Sequence, residues 1–518
     1  MKLRALLVCM LLLAACGNDD SPNEQAEAAT PAAASGSGGE VDGSSTDAND
    51  VRRGGELTYA LVSFPEPIDP LSITTRSAKD VGRTIFDTLV TVDESAEIVP
   101  LLAESFETPD GGATWVLDLR EGVLFHDGTT FDAASVVAHT ERLMDPENNC
   151  RCIASVSSIT SVEATDDFQV TYTLEAPSAS FPATLAGPVG MIGAAGTSPD
   201  LPIGTGPFTF VESIQDDSIR VERNPDYWQD GLPYLDEVTF RAIPDSATRY
   251  AAIQSGEVDM YWENSYQRWQ EIRGNDDLQL IEFGGFGSYY ITFNMGRPPF
   301  DQIEARRAVA MALDLETLHE TLHAGQIQPA TSIFPRNTWA YPGEIDSYPT
   351  YDLEGARGLV EDLGGISFTL LTPELVYEQA VAVQAMLMEA GMDVDVQRSE
   401  NIAAIEQVTA GDYDAAQFSF TGDIEPLVFA SRYGTGNPRN TAQMSDPRMD
   451  ELLEAADTTI GNDDRAGIFA EIAEVAAEIM PYALLANHND AWVARADILG
   501  IPSTPDGVVK LTSASRSS

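Results

Sequence analysis

Strand, helix and strand follow one another within residues 366–398, and this succession constrains the fold more than any other segment. Ile366, Phe368 and Leu370 alternate with Ser367 and Thr369, the period-2 pattern of a half-buried strand. Val376, Ala380, Val383 and Leu387 then fall at helical spacing, Gly391 stops the helix, and Met392, Val394 and Val396 alternate again. At this length the second strand returns beside the first through a right-handed crossover, which makes the pair parallel. The chain therefore reads as α/β.

Other elements follow from caps and periods. Leu57, Tyr59 and Leu61 alternate as a first strand, and Trp115, Leu117 and Leu119 as a later one. The spacing predicts a helix over 131–144 with Asp132 as N-cap, and another from Asp245 to Gln254 stopped by Gly256. Strand character returns over 162–174 and at Val258-Asp259-Met260. Asp301 and Glu304 form a capping-box pattern that predicts one helix running to about His323. Ile468, Ile472, Val475 and Ile479 give a late amphipathic helix ending before Pro481, and residues 491–509 read as short strands and turns.

The N-terminus reads as an export signal. Lys2 and Arg4 precede an apolar run, Ala5 to Ala15, too short to remain as a membrane span. It ends in Leu13-Ala14-Ala15-Cys16, which resembles the bacterial lipobox; that resemblance implies cleavage of residues 1–15 and a diacylglycerol on Cys16. Residues 17–50 contain no aromatic residue, lysine or arginine. Such a segment buries too little apolar surface to order itself, so 16–50 reads as a lipidated tether whose ends lie roughly 30 Å apart.

Beyond it remain enough residues for two or three cores, with no run long enough to span a bilayer. The formal net charge of −53 excludes nucleic acid as a partner; because the charge is spread along the chain it reads as a soluble or salt-adapted surface. Of four cysteines, Cys150 and Cys152 stay in the body, where a disulfide between them is open outside the cytoplasm.

Six segments in order carry a family resemblance: Ile98-Val99-Pro100-Leu101-Leu102-Ala103-Glu104-Ser105; Leu119-Arg120-Glu121-Gly122-Val123-Leu124-Phe125-His126-Asp127-Gly128; Gly204-Thr205-Gly206-Pro207-Phe208; Asn224-Pro225-Asp226-Tyr227-Trp228; Phe293-Asn294 with Pro299-Phe300; and Arg306-Arg307-Ala308-Val309-Ala310-Met311-Ala312-Leu313-Asp314. The sequence resembles the family 5 solute-binding proteins of ATP-binding-cassette transporters, which bind oligopeptides, dipeptides or nickel. The resemblance implies an α/β, two-lobed periplasmic-binding-protein-like fold with an extra inserted domain in the first lobe. Lobe I would comprise 51–90, 201–285 and 491–518, the inserted domain 91–200, and lobe II 286–490. It implies a monomeric receptor, extracytoplasmic on the periplasmic side or cell surface. That receptor has no cofactor or catalytic residue, binds a peptide or similar small solute, and delivers it to a membrane permease. Nickel chelates and sugars stay open as ligands, and a sensor lipoprotein without a permease stays open as a role.

The same resemblance assigns site residues. Asp423, in Phe420-Thr421-Gly422-Asp423-Ile424-Glu425-Pro426, matches the aspartate that holds a peptide's amino terminus. Peptide-binding members carry tryptophan where Phe420 stands, and this chain is one residue shorter between the two positions. Tyr261, Trp262 and Tyr266 follow a strand that approaches the hinge and read as ligand walls or interlobe packing; Phe64, after the first strand, is a further lining candidate. One motif argues for chemistry instead. His319-Glu320-Thr321-Leu322-His323 matches H-E-x-x-H on a helix, the pattern of a zinc metallopeptidase. Its third ligand is wanting, since Glu344 lies in a Pro-Gly turn rather than on a helix, so the segment reads as structural.

Overall fold

The computed structural model describes residues 51–65, 67–336, 338–420 and 424–517. Cys16, the tether and Asp423 lie outside the described residues. The crossover unit is present: strands Ser367–Pro373 and Asp393–Ser399 pair in parallel around the helix Tyr377–Glu389. Ala380, Val383 and Leu387 on that helix are buried, and Gly391 adopts φ +89° after it, a conformation that glycine enters without steric cost.

This unit forms one edge of a ten-stranded mixed sheet. Its order is Asp393–Ser399, Ser367–Pro373, Ala415–Phe420, Leu278–Phe293, Tyr482–Arg495, Met260–Glu263, Glu56–Leu61, Glu237–Ala242, Ser218–Arg223 and Phe208–Ile214. The two central strands, Leu278–Phe293 and Tyr482–Arg495, run antiparallel and cross between cores. Phe283, Trp492 and Ala494 pack with Leu57, Tyr59 and Phe240. At the other ends, Ile291, Phe293, Leu484 and Leu485 pack with Leu370 and Leu387. Between these cores the register slips: Phe283 faces Asp490, and the next pair is Gly287 with His488. Three glycines in the run Gly284-Gly285-Phe286-Gly287 leave the backbone free to make such an irregularity.

A third core lies in residues 89–203, around a separate four-stranded sheet ordered Ala103–Glu107, Thr114–Leu119, Gln169–Leu174 and Ile159–Asp166. The helix Ala133–Met144 covers it, and Asp132 caps that helix by accepting from Ser135 N. Arg142, on the same helix, donates to both carboxylate oxygens of buried Asp69 at 3.0 and 2.6 Å, tying this core to the loop after the first long strand. Cys150 and Cys152 form a disulfide.

Two expectations change. The helix expected from 301 to about 323 is two helices, Ile303–Met311 and Leu315–His323. Asp314 starts the second by accepting from Thr317 N, and Gln302 rather than Asp301 takes the first N-cap. The apolar period runs on through buried Ala312 and Leu313, which hides the break. The turns expected over 491–509 begin instead as the end of a 14-residue strand. Ala483 to Ala486 and Ala491 to Ala494 are buried at every position, and a strand covered on both faces shows no alternation to read.

Candidate ligand-binding cleft

One wall of the junction is the helix Arg76–Ile85, started by Thr75 accepting from Ala78 N. Ala78, Val81 and Ile85 are buried in the core that holds Leu57, Tyr59 and Phe240. Arg76, Lys79 and Arg83 stand at i, i+3 and i+7, along one stripe of the other face. Arg76 donates to Gly507 O at 2.5 Å and ion-pairs with Asp490 at 3.1 Å. Its guanidinium lies 4.9 Å from the Trp262 ring centre and 5.4 Å from that of Phe283, a stacked cation. Arg83 donates to the Thr88 and Thr91 hydroxyls at 2.5 and 2.9 Å.

The segment 505–510 is laced to this helix. Buried Asp80 accepts from Val509 N at 3.0 Å and from Tyr59 OH at 2.9 Å, and burial pushes its carboxyl up to about 6. Lys510 donates to Val92 O and lies 3.9 Å from Asp506; burial lowers its ammonium to about 8.

Two cavities open at the junction. One, of about 230 Å³, has Lys79, Arg83, Asp506 and Val508 on one side, residues 180–191 on a second, and Ile424, Glu425 and Val428 on a third. The other, of about 460 Å³, is lined by Phe283, Gly284, Asn487 and Asn489 where the central strands slip register. Pro505 borders both. Glu425 is held in the first by buried Arg465, which donates to it at 2.5 and 3.4 Å.

The structure brings some of the residues named from sequence to this junction. Trp262 is half-buried beneath Arg76, and its Nε1 has no hydrogen-bond partner among the described residues. Tyr266 is buried and donates to Asn489 O at 3.0 Å, behind the second cavity. Tyr261 faces the other side of its strand. It is fully buried, donates to Glu263 at 3.2 Å, and burial raises its hydroxyl pKa. Phe64 lines a separate cavity of about 520 Å³ with Pro65, Phe210 and Ile219. Phe420 ends its strand with its backbone opposite Ser288; its side chain, like Asp423, lies outside the described residues. The first described residues after Asp423, Ile424 and Glu425, line the first cavity.

His319 is buried, its Nε2 lies 3.0 Å from Leu485 O, and its Nδ1 lies 3.1 Å from His323 Nδ1. Burial lowers its pKa, so the ring is neutral: Nε2 donates and Nδ1 accepts. His323 is edge-on to Tyr266 and stacked on Tyr289, with ring centres 5.3 and 5.7 Å apart. Glu344 binds Thr331, Tyr341 and Arg336 instead. Among the described residues no three His, Cys, Asp or Glu side chains are grouped to hold a metal ion.

The sequence reading missed Arg76, Lys79, Arg83, Asp506 and Lys510. A signal existed: the chain has three lysines, at positions 2, 79 and 510, and both lysines of the body lie at this wall.

A cleft between cores joined by two crossing strands is the architecture of an extracellular solute receptor. The model of the bacterial extracellular solute-binding proteins, family 5 (Middle), matches residues 97–441, and the chain belongs to that family. It is 28% identical over 461 residues to the glutathione-binding protein GsiB of Salmonella paratyphi A, covering 82% of this chain and 88% of the relative. To GsiB of Escherichia coli K12 it is 29% identical over 431 residues, covering 77% and 83%. The structure of DppA from Helicobacter pylori in complex with the peptide STSA aligns with TM-score 0.74 at 25% identity, over 90% of this chain and 99% of that one. HbpA2 from Haemophilus parasuis aligns with TM-score 0.82 over 89% and 100%, at 22% identity that speaks for the fold. The fold is that of the two-lobed periplasmic binding proteins, and GsiB and DppA are named as binding proteins rather than enzymes. Among the described residues no helix is long and apolar enough to cross a membrane.

Proposed function

We propose that this chain is the lipid-anchored receptor of an ATP-binding-cassette importer, and that it closes on a short peptide or peptide-like solute and passes it to a membrane permease. The observation that carries this reading is the junction itself. Cavities of about 230 and 460 Å³ lie where two strands cross between separately packed cores, in a chain whose relatives over most of its length bind glutathione.

In this reading the lobes are 51–90 with 201–285 and 491–518, and 286–490, with 91–200 inserted in the first. The glycine-rich slip at 284–287 is the hinge, since packed cores move as bodies and the strain falls on the few residues between them. Main-chain groups at the slip hold an extended ligand as an added strand would. Trp262 and Tyr266 make an aromatic wall, Asp423 takes the ligand amine, and Phe420 borders it. Cys16, lipidated, with the tether of residues 17–50, keeps a monomeric receptor near its permease and raises its effective concentration there.

Native mass spectrometry of gently purified protein tests the ligand class. Co-purified short peptides, or glutathione, support it; a single sugar or a bare metal ion overturns it. In the same preparation Cys16→Ser moves the protein from the membrane to the soluble fraction; continued sedimentation with membranes overturns the anchor.

A further inference from the structure

We propose that Asp457, with Ser178 and Ser180, forms a clasp that holds two of the cores closed over the smaller cavity and so governs how fast a bound solute leaves. The proposal rests on the receptor reading above and adds to it the contact that resists opening.

The core of residues 89–203 has its own four-stranded sheet, separate from the ten-stranded one that runs through the core of Phe293 and Leu370. Two sets of contacts join these cores. In the first, the Asp457 carboxylate accepts from the Ser178 and Ser180 hydroxyls at 2.8 and 3.0 Å, and its main-chain oxygen accepts from Ala179 N at 2.6 Å. Ser178 is fixed on its own side: its N donates to Gly112 O at 3.0 Å, and its O accepts from Trp115 Nε1 at 3.1 Å. In the second, the turn at 93–97 reaches across. Ala96 is buried, 2% exposed, in the core of Phe293 and Leu370, and Glu97 accepts from Asn462 Nδ2 at 2.5 Å. Ala96 has φ +65°, where glycine is the less costly residue; the methyl group it keeps is the part that fills the other core.

The helix itself does not favour Asp457. It is the penultimate residue of Pro447–Thr458, where the carbonyl end of the helix dipole repels an anion. What stabilises its carboxylate comes from the other core, as charge-assisted bonds from neutral hydroxyls. Its place ties it to the cavity. Ser180 lines the space of about 230 Å³ from one side, Ile424 and Glu425 from another, and Ile424 packs against both cores. Ala456 O, next to Asp457, accepts from Arg465 Nε at 2.9 Å, and the same arginine holds Glu425. One side chain therefore links the clasp to the cavity wall. Ser178, Ser180 and Asp457 are half-buried, so water takes over their hydrogen bonds once the cores part, and the contact can break without leaving a desolvated charge behind.

Hydrogen exchange at the Ala179 amide, in the full chain without solute, tests the clasp, because that N–H crosses between the cores. Leu174 N, which donates to Ala113 O at 2.9 Å within its own core, is the control. Asp457→Ala speeds exchange at Ala179 at least about tenfold and leaves Leu174 unchanged, whereas Asp457→Asn, which keeps an acceptor for the hydroxyls, stays near wild type. Ser178→Ala with Ser180→Ala matches Asp457→Ala, and combining all three adds nothing further. Unchanged exchange in Asp457→Ala, or equal acceleration at Leu174, overturns the clasp. Stopped-flow release of glutathione and of Ala-Ala carries the comparison to the solute: Asp457→Ala releases a bound probe at least about fivefold faster at an unchanged association rate, and an unchanged release rate overturns the control of release. Failure of both probes to bind the wild type overturns the peptide reading, and exchange at Ala179 then decides the clasp by itself.

Discussion

Replacing Glu425 by alanine is the most demanding test of how the cleft is held. Glu425 is the N-cap of the helix Pro426–Ala430 and accepts from Leu427 N at 3.1 Å. Its carboxylate also receives both terminal nitrogens of Arg465, at 2.5 and 3.4 Å, and the two side chains are 8% and 3% exposed. Arg465 further donates to Ala456 O at 2.9 Å and lies over the Trp339 and Phe469 rings. Removing the carboxylate leaves a buried guanidinium without its counter-charge, a loss of about 3–5 kcal/mol, with about 1 kcal/mol more for the cap. A total near 5 kcal/mol lowers the unfolding midpoint of a cooperative unit of about 200 residues by roughly 15 °C. Scanning calorimetry on Glu425→Ala reads this directly. The double variant Glu425→Leu with Arg465→Met buries no charge and lies closer to wild type than the single variant. A single-variant loss under about 1 kcal/mol, or a double variant worse than the single, refutes the reasoning that a desolvated pair fixes this wall.

Two further outcomes are expected. Asp87 accepts from Trp228 Nε1 at 2.9 Å, and burial pushes its carboxyl from 3.8 up to about 6. The folded chain therefore holds this proton more tightly than the unfolded one. The resulting stability is full below about pH 4, is lost as the pH rises through about 6, and changes no further above that. Asp87→Asn should accordingly gain about 3 kcal/mol on wild type between pH 4 and pH 7, read from urea midpoints; a constant difference contradicts it. On the crossover helix, Leu387 is fully buried and its neighbour Met388 is 56% exposed. Leu387→Ala costs about 3 kcal/mol and Met388→Ala within about 0.5 kcal/mol in urea unfolding; similar losses at both would mean that the helix face has been misassigned.

The elements legible in the sequence are those whose signal is local. The crossover unit was readable because its strands alternate and its helix keeps one apolar stripe, and the helices begun by Asp132 and Asp245 because a cap lies next to what it caps. The break between Met311 and Leu315 and the long strand Tyr482–Arg495 were not readable. At the break the apolar period runs on through buried Ala312 and Leu313, and along the strand burial of both faces erases the alternation that would mark it.

Residue order alone determined the α/β class and the resemblance to a solute-binding family, because each is written in neighbouring residues or in a series of motifs kept in register. Only the tertiary structure decided what faces the cleft. Trp262 and Tyr261 are adjacent in sequence, yet one lies beneath Arg76 and the other is buried on the opposite face, since successive strand residues point to opposite sides. Lys79 and Asp506 lie at opposite ends of the folded chain in sequence and line one cavity because the C-terminal segment returns to bond Asp80 and Arg76 on the first helix. No local pattern encodes that meeting; it follows from the closing of the sheet order around the two central strands.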